Sequence, residues 1–269
     1  MRYLAFPAIG LLVFLSGCYT TASFYCPSTV NTPLLSEKNQ ARMTGSIGIG
    51  AGENNNVAGT LGLSFAYSPI EHLGIISNFH NFFSSGDVTF ASTANSNINN
   101  VSRSGELGAG YYTSKGDRTK YIADVYAGLG YGQLKTDGFV TGDMQHIHFF
   151  MQPGIGLSNK VVDLAFNIRL GALSYSYFAS EYSAVSNYNI YEKLPGNGNL
   201  YFFAEPALTF RLGYKFAKFQ TQIIVSKINS DWAYDFFVIN MGLHFSLEYL
   251  YSGYYNKHRG GGISTPQTH

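Results

Sequence analysis

The stretch from residue 161 to 172 alternates apolar and polar residues with a strict period of two. Successive side chains of a β-strand point to opposite faces, so this period predicts a strand with one apolar face and one polar face. Asp163, Asn167 and Arg169 stand on the polar face. Such a strand is suited to separating hydrocarbon from a polar compartment. The apolar face consists of Val162, Leu164, Phe166, Ile168, Leu170 and Ala172.

Composition indicates what surrounds such strands. Charged residues make up 12% of the chain and aromatic residues 16%, whereas about 25% of a typical soluble protein is charged. No apolar run after the first twenty residues is long enough for a membrane-spanning helix, so a closed β-barrel is the structure that satisfies its backbone in lipid. A lipocalin-like soluble barrel is the alternative, but it would need more charges outside. A net charge of +1 provides no basic surface for nucleic acid.

The alternation recurs along the chain and predicts an all-β, membrane-spanning, antiparallel up-and-down barrel of about ten strands. Eight is the alternative count, if the first or ninth strand pair is misassigned. Most of the predicted strands are about ten residues or longer, which suits a tilted strand that crosses a bilayer. The predicted strands lie near residues 39–50, 57–68, 72–83, 104–114, 120–133, 146–158, 161–175, 200–214, 217–228 and 236–250.

The connections between these strands alternate in length. Those after even strands are tight, whereas residues 84–102 and 176–199 form longer polar connections after odd strands. Outer-membrane barrels have short periplasmic turns and longer extracellular loops. An even number of strands would therefore place both ends of the barrel domain, 39–251, in the periplasm, followed by a periplasmic tail at 252–269.

The N-terminus is typical of an exported bacterial lipoprotein. Residues 1–17 contain a single charge and an apolar run, which predicts a cleaved signal peptide. Leu15 to Cys18 resemble the lipobox of bacterial lipoproteins, which implies that Cys18 becomes the acylated N-terminus; the alternative is an ordinary secretory signal or anchor with an incidental cysteine. Residues 18–38 show no period and are predicted to be a lipidated periplasmic tether, in which Cys26 is an incidental thiol.

The chain resembles the uncharacterised outer-membrane β-barrel lipoproteins of Bacteroidota across nearly its whole length. The similar segments are 15–19, 31–38, 105–112 and 150–156. This resemblance implies an outer-membrane location and a barrel fold, but no activity. Some lipoproteins of that group have an acidic export tag just after the cysteine. Its absence here implies that the lipid stays in the periplasm-facing leaflet, with the N-terminus in the periplasm.

Alternation also predicts which polar groups point into the barrel. Because a lone buried charge is costly, we expect the inward arginines to pair with inward carboxylates. The favoured interpretation is a lumen filled by salt bridges, and an open pore with the same lining is the alternative. The predicted network consists of Arg42, Glu106, Asp124, Asp163, Arg169, Glu205, Arg211 and Glu248.

Three consecutive strands carry glycine at most of their inward positions, so this wall of the barrel is nearly bare. One hypothesis is that long side chains from the opposite wall, such as Arg211 and Glu205, lie against it. The N-terminal tether and a bound ligand are alternatives, and so is the simpler account that glycine eases tight strand curvature. The glycines are Gly108, Gly110, Gly128, Gly130, Gly132, Gly154 and Gly156.

The strongest candidates for chemistry lie near the predicted extracellular mouth. His146 and His148 share one strand face near Asp143, which is a weak metal-binding pattern, and His80 would reach the same mouth. No nucleophile elbow or phosphate-binding loop is present in the sequence, and no cofactor is expected. An aromatic-rich loop at 175–191 suits contact with a glycan, lipid or protein ligand, or packing on itself.

We therefore expect a lipid-anchored outer-membrane barrel with a non-catalytic structural or surface-binding role through its extracellular loops. Two alternatives remain. An outer-membrane hydrolase would need an ordered histidine site at the mouth, and a narrow channel would need a continuous lumen.

Overall fold

The computed structural model describes residues 23–52, 57–90, 94–138, 140–182, 195–196 and 198–249. Apart from the N-terminal residues, nearly all of this chain is β-strand. The strands are β1 (Ala41–Gly52), β2 (Val57–Ile70), β3 (Leu73–Phe90), β4 (Ala94–Lys115), β5 (Lys120–Gly138), β6 (Val140–Ser158), β7 (Val162–Tyr182), β8 (Leu200–Tyr214), β9 (Ala217–Val225), β10 (Lys227–Ile228) and β11 (Asp235–Ser246).

The strands close into a barrel. Each pairs antiparallel with the next from β1 to β9, and β11 pairs with both β9 and β1. The two-residue β10 continues β9 beyond Ser226 and pairs with β8. The barrel therefore has ten strands around its circumference, which confirms the predicted up-and-down topology and the predicted number. Closure leaves no unpaired edge strand, so every wall strand has a partner on both sides.

The outside of this barrel is apolar and the inside is polar. On β8, for example, Phe210 and Leu212 are 43% and 50% exposed, whereas Thr209 and Arg211 are 1% and 2% exposed. The same alternation occurs on every long strand, so large apolar side chains form a continuous outer belt. This is the surface that a membrane barrel presents to lipid. Among the described residues, no helix has the length and apolar character needed to cross a bilayer.

The two ends of the barrel differ. At one end, here called the turn end, the apolar belt continues to short turns such as Glu71–His72 and Lys215–Phe216. At the other end, the loop end, several strands extend beyond the belt. The outward side chains there are polar and exposed, as for Arg103 on β4 and Lys135 on β5. This asymmetry matches the periplasmic and extracellular ends of outer-membrane barrels.

This extension corrects one prediction. Residues 84–102 were expected to form a long polar connection, but β3 and β4 continue through most of them and pair as far as Phe90 and Ala94. The sequence pattern failed there because the apolar half of the alternation is required only where lipid covers the outer face. Above the belt both faces of a strand can be polar, so no period marks it.

Rings from the wall itself cover much of the bare glycine wall, and Leu34 from the N-terminal residues lies against Gly156. Phe150 lies over Gly108 and Gly128, the imidazole of His148 lies over Gly130, and Tyr126 lies over Gly110. The nearest atoms to these glycines thus come from the wall and, at Gly156, from the N-terminal residues named as an alternative, and not from Arg211 or Glu205. The rings lean sideways onto neighbouring strands because glycine leaves room for a flat face against the backbone.

Filling this wall should destabilise the barrel. A Cβ on Gly128 would meet both the Phe150 ring and the carbonyl oxygen of Leu107, and overpacking of this kind costs about 1–3 kcal/mol. We expect Gly128→Ala to lower the urea midpoint of the detergent-folded protein. Gly105→Ala is the matched control on the outer face, where the nearest atom is 3.9 Å away; equal midpoints for the two variants would refute this account.

Candidate functional site

The lumen is occupied by the chain's own N-terminal segment. Residues 23–35, here called the lumen segment, are buried with the sole exception of the half-buried Tyr25. At the loop end, Ser23 donates from its hydroxyl to Asp235 Oδ1 (2.8 Å). At the turn end, the carbonyl of Ser36 accepts a hydrogen bond from Ser114 Oγ (2.9 Å). Residues 23–35 thus form a plug inside the barrel. For these residues the structure corrects the prediction of a periplasmic tether at 18–38.

Side chains of the barrel satisfy the backbone of the lumen segment. Gln222 forms two hydrogen bonds with Val30, accepting from its N–H and donating to its carbonyl, both at 2.9 Å. Gln152 donates to the carbonyl of Asn31 (2.7 Å). An extended segment outside any sheet leaves its amides without ladder partners, and buried amides need partners. The inward glutamines therefore act as substitutes for a neighbouring strand.

Arg169 on β7 is the centre of the polar lumen. Its guanidinium lies 2.5 Å from Glu205 and 3.2 Å from Glu106, with side-chain exposures of 2%, 0% and 4%. It also donates to the side-chain hydroxyl of Ser28 (2.6 Å) and to the backbone carbonyl oxygen of Ser28 (3.1 Å). Tyr25 donates to the other oxygen of Glu205 (2.6 Å). One buried cation therefore connects two walls of the barrel to the lumen segment.

A second charged cluster lies near the turn end. Arg211 lies 3.8 Å from Asp163 and donates to the carbonyl of Thr32 (2.6 Å). Lys218 donates to the other oxygen of Asp163 (2.6 Å). Through this bond to the backbone of Thr32, the cluster fixes the part of the lumen segment that lies near the turn end.

The other members of the predicted network are arranged differently. Arg42 pairs with Glu248 at the turn-end rim, apart from the two buried clusters. Asp124 is buried but its Oδ1 has no hydrogen-bond partner among the described atoms, and the carboxylate lies over Gly154 next to Asn167. The inward arginines thus each lie against a carboxylate of the predicted set, but in separate clusters and without Asp124.

The predicted mouth residues are divided between two environments. His80, His146 and His148 are 4–7% exposed and line one internal cavity with Glu106. His148 Nε2 lies 3.0 Å from Glu106, whereas both ring nitrogens of His80 lack a partner among the described atoms. Asp143 is exposed on the outer face, directly opposite Lys135 on the neighbouring strand. The histidines are therefore inside the barrel and not at an open mouth.

This cavity measures about 20 Å³, which is enough for about one water molecule. No grouping of three or more His, Cys, Asp or Glu side chains within the described ranges is arranged to hold a metal ion. A hydrolase substrate has no space beside these imidazoles.

Aromatic side chains close the lumen above the histidines. Trp232, which lies between β10 and β11, packs edge-on against Tyr175, Tyr201 and Tyr234 at ring-centroid distances of 5.7, 5.3 and 6.4 Å. Tyr175 also donates to the carbonyl of Phe24 in the lumen segment (2.9 Å). This first member of the predicted aromatic loop is therefore a packing residue. Residues 183–194 lie outside the described chain, and the side chains of 177–182 are not described.

Some residues of the site were not predicted from the sequence. Lys218 alternates with the outward Phe219 and so has inward parity, which would have identified it. Tyr25 and Ser28 had no comparable indication, because the lumen segment has no period. Cys18, residues 1–17 and the tail at 252–269 lie outside the described residues.

Comparisons with known proteins add little to this geometry. No protein-family model matches the sequence, and no curated protein matches it. Solved structures with some likeness include the translocator domain of autotransporter NalP from Neisseria meningitidis, at 12% identity over 79% of this chain and 90% of that chain (TM-score 0.40). Another is an outer-membrane channel from Pseudomonas putida F1, at 6% identity over 82% and 100% (TM-score 0.42).

A third is Ail, the attachment invasion locus protein of Yersinia pestis, at 9% identity over 79% of this chain and 98% of that chain (TM-score 0.30). TM-scores this low do not by themselves define a fold. The assignment of a closed barrel therefore rests on the strand pairing of this chain.

Proposed function

We propose that this protein is a lipid-anchored outer-membrane β-barrel, closed by its own N-terminal segment, with a non-catalytic structural or surface-binding role. The observation that supports this proposal most directly is the occupied lumen. Residues 23–35 fill it, and barrel side chains hydrogen-bond to their backbone. A barrel with this interior displays its loops and transports nothing in this state.

The outer-membrane location is supported by the apolar belt and by the difference between the two ends. Polar strands extend beyond the belt at the loop end, whereas the belt meets short turns at the other. The resemblance to outer-membrane lipoproteins of Bacteroidota points to the same location. On this proposal the loop end, where β7 ends and β8 begins, is extracellular.

The anchor is proposed from the lipobox that ends at Cys18. Metabolic labelling with an alkyne palmitate tests it. The wild-type protein should be labelled and Cys18→Ser should not, whereas Cys26→Ser should keep the label because its lipobox and Cys18 are unchanged. Equal labelling of all three proteins would remove the lipid from the proposal.

The closed state is tested by electrical recording. We expect the full-length protein in planar lipid bilayers to produce no ion conductance at moderate voltage, because the lumen segment fills the polar interior. Heat-modifiable migration in SDS gels identifies the folded barrel in the same sample. Steady single-channel currents from folded wild-type protein would replace this proposal with the narrow-channel alternative.

The surface-binding role concerns a glycan, a lipid headgroup or a protein as the ligand. Residues 183–194 include Tyr188 and Tyr191, and aromatic side chains provide large contact areas at low entropic cost. Arrays of each ligand class can be probed with the protein in nanodiscs. Binding that is lost when 183–194 is replaced by a Gly-Ser linker of equal length would locate it in this loop. Binding unchanged by the replacement would exclude this loop.

A further inference from the structure

We infer that the N-terminus of the mature chain leaves the barrel at its loop end, so that a lipid on Cys18 inserts into the outer leaflet at the cell surface. This inference rests on the proposed lipidation and orientation, and it replaces the periplasm-facing leaflet that the missing export tag implied. Strand parity does place the start of β1 at the turn end. The lumen segment, however, crosses the whole barrel before β1 begins. The chain that precedes this segment therefore starts from the opposite end, the loop end.

Contacts with the barrel wall show where the lumen segment ends, which is at the turn end. Leu35 packs beside Gly74 near the start of β3, and the N–H of Asn39 donates to the carbonyl of Ser68 near the end of β2 (2.8 Å). Both contacts lie next to the short turn between β2 and β3. The segment therefore leaves the lumen at the turn end, and continues directly into β1.

Ser23, the first residue of the lumen segment, lies at the edge of the apolar belt that faces the loop end. The N–H of Ser23 donates to Ser84 Oγ (3.2 Å), and the side-chain amide of Asn100 donates to the carbonyl of Ser23 (2.8 Å). Ser84 directly follows Phe83, an outward apolar side chain that is 50% exposed. The next outward residue, Ser85, is polar and exposed. Ser23 is thus level with the outer rim of the lipid-facing surface.

The length of chain before Ser23 then decides which leaflet the lipid can reach. Four residues lie between Cys18 and Ser23, and the five residue-to-residue steps of an extended chain span at most about 18 Å. The apolar belt of such a barrel is about 25 Å tall. Cys18 can therefore reach the rim at the loop end, but it cannot reach the opposite rim while Ser23 keeps its position.

Hydrogen bonds hold the upper end of the segment in this position. The N–H of Phe24 donates to the carbonyl of Ala233, and the N–H of Asp235 donates to the carbonyl of Tyr25, both at 2.9 Å. These bonds join the segment to the stretch that leads into β11. A lipid at the loop end and the covalent link to β1 at the turn end would together fix the plug at both ends.

In this arrangement the lipid has a role besides membrane attachment, which is to hold the lumen segment in place. A closed barrel with a complete apolar belt is already held in the bilayer by its strands, so an acyl anchor adds little retention. Acyl chains in the outer leaflet would instead oppose withdrawal of the segment toward the periplasm.

Cysteine accessibility on intact cells tests the inference. Full-length variants Thr21→Cys, Asp117→Cys and Asp137→Cys are treated with a membrane-impermeant maleimide before and after the outer membrane is permeabilised. Asp117 is exposed at the turn end and Asp137 at the loop end, so the last two report the orientation of the barrel. Wild-type protein is the background control, because its Cys26 is 3% exposed.

We expect Thr21→Cys and Asp137→Cys to react on intact cells, and Asp117→Cys to react only after permeabilisation. If Thr21→Cys behaves like Asp117→Cys while Asp137→Cys reacts, the inference is overturned and the proposed orientation stands. If Asp117→Cys reacts on intact cells and Asp137→Cys does not, the proposed orientation itself is wrong. Heat-modifiable migration of each variant confirms that the labelled protein is folded.

Discussion

Replacing Arg169 by methionine is expected to lower the free energy of unfolding by about 3–5 kcal/mol, the usual cost of removing one partner from a buried ion pair. Arg169 lies between Glu106 and Glu205, and all three side chains are at most 4% exposed. Methionine fills much of the same volume but leaves two carboxylates without their cation. Urea unfolding in detergent micelles, followed by tryptophan fluorescence of Trp232, measures the loss.

The matched control is Lys120→Met at the surface. Lys120 lies 3.4 Å from Glu37, and the two side chains are 31% and 64% exposed. Solvent screens such a pair, so its loss should cost about 1 kcal/mol or less. Similar midpoints for Arg169→Met and wild type would mean that the central ion pairs do not stabilise the barrel. A large loss for Lys120→Met would show that any change of charge has this effect.

The sequence predicted the part of the fold that lipid constrains. Where a strand crosses the belt, one face must be apolar and the other must suit the lumen, so the period of two is strict, as from Val162 to Leu170. Beyond the belt this constraint disappears. The extension of β4 back to Ala94 and of β5 to Gly138 therefore had no signature in the sequence.

The site was predictable in its wall and not in its plug. Alternation predicted the inward orientation of Arg169, Glu106 and Glu205 because they lie on regular strands. The lumen segment has no period, since it contacts different strands at successive residues. Inward glycines are the indication that it leaves in the sequence, both in the glycine wall, where Gly156 meets Leu34, and on the first strands. Gly50 faces Cys26 and Gly62 faces Thr29, so both make room for a chain that composition alone assigned to the periplasm.

Removing the side chains of the lumen segment should open the barrel. We expect a variant in which residues 23–35 are replaced by a Gly-Ser linker of equal length to produce ion currents in planar bilayers. The linker keeps the backbone of the segment but loses its side chains and their bonds to the wall, such as those of Tyr25 to Glu205 and of Asn31 to the carbonyl of Phe65. The polar groups around Arg169 would then face water. The currents should be small, because inward side chains still narrow a ten-stranded barrel.

A milder variant separates opening from misfolding. Gln222→Ala keeps the whole segment but removes both hydrogen bonds to Val30. It should produce brief, infrequent openings, whereas Gln133→Ala on the exposed outer face should stay closed like wild type. Folding of each variant is checked by heat-modifiable migration before recording. A folded linker variant without current would show that the side chains of the wall close the lumen by themselves, and that the segment serves only to position the N-terminus.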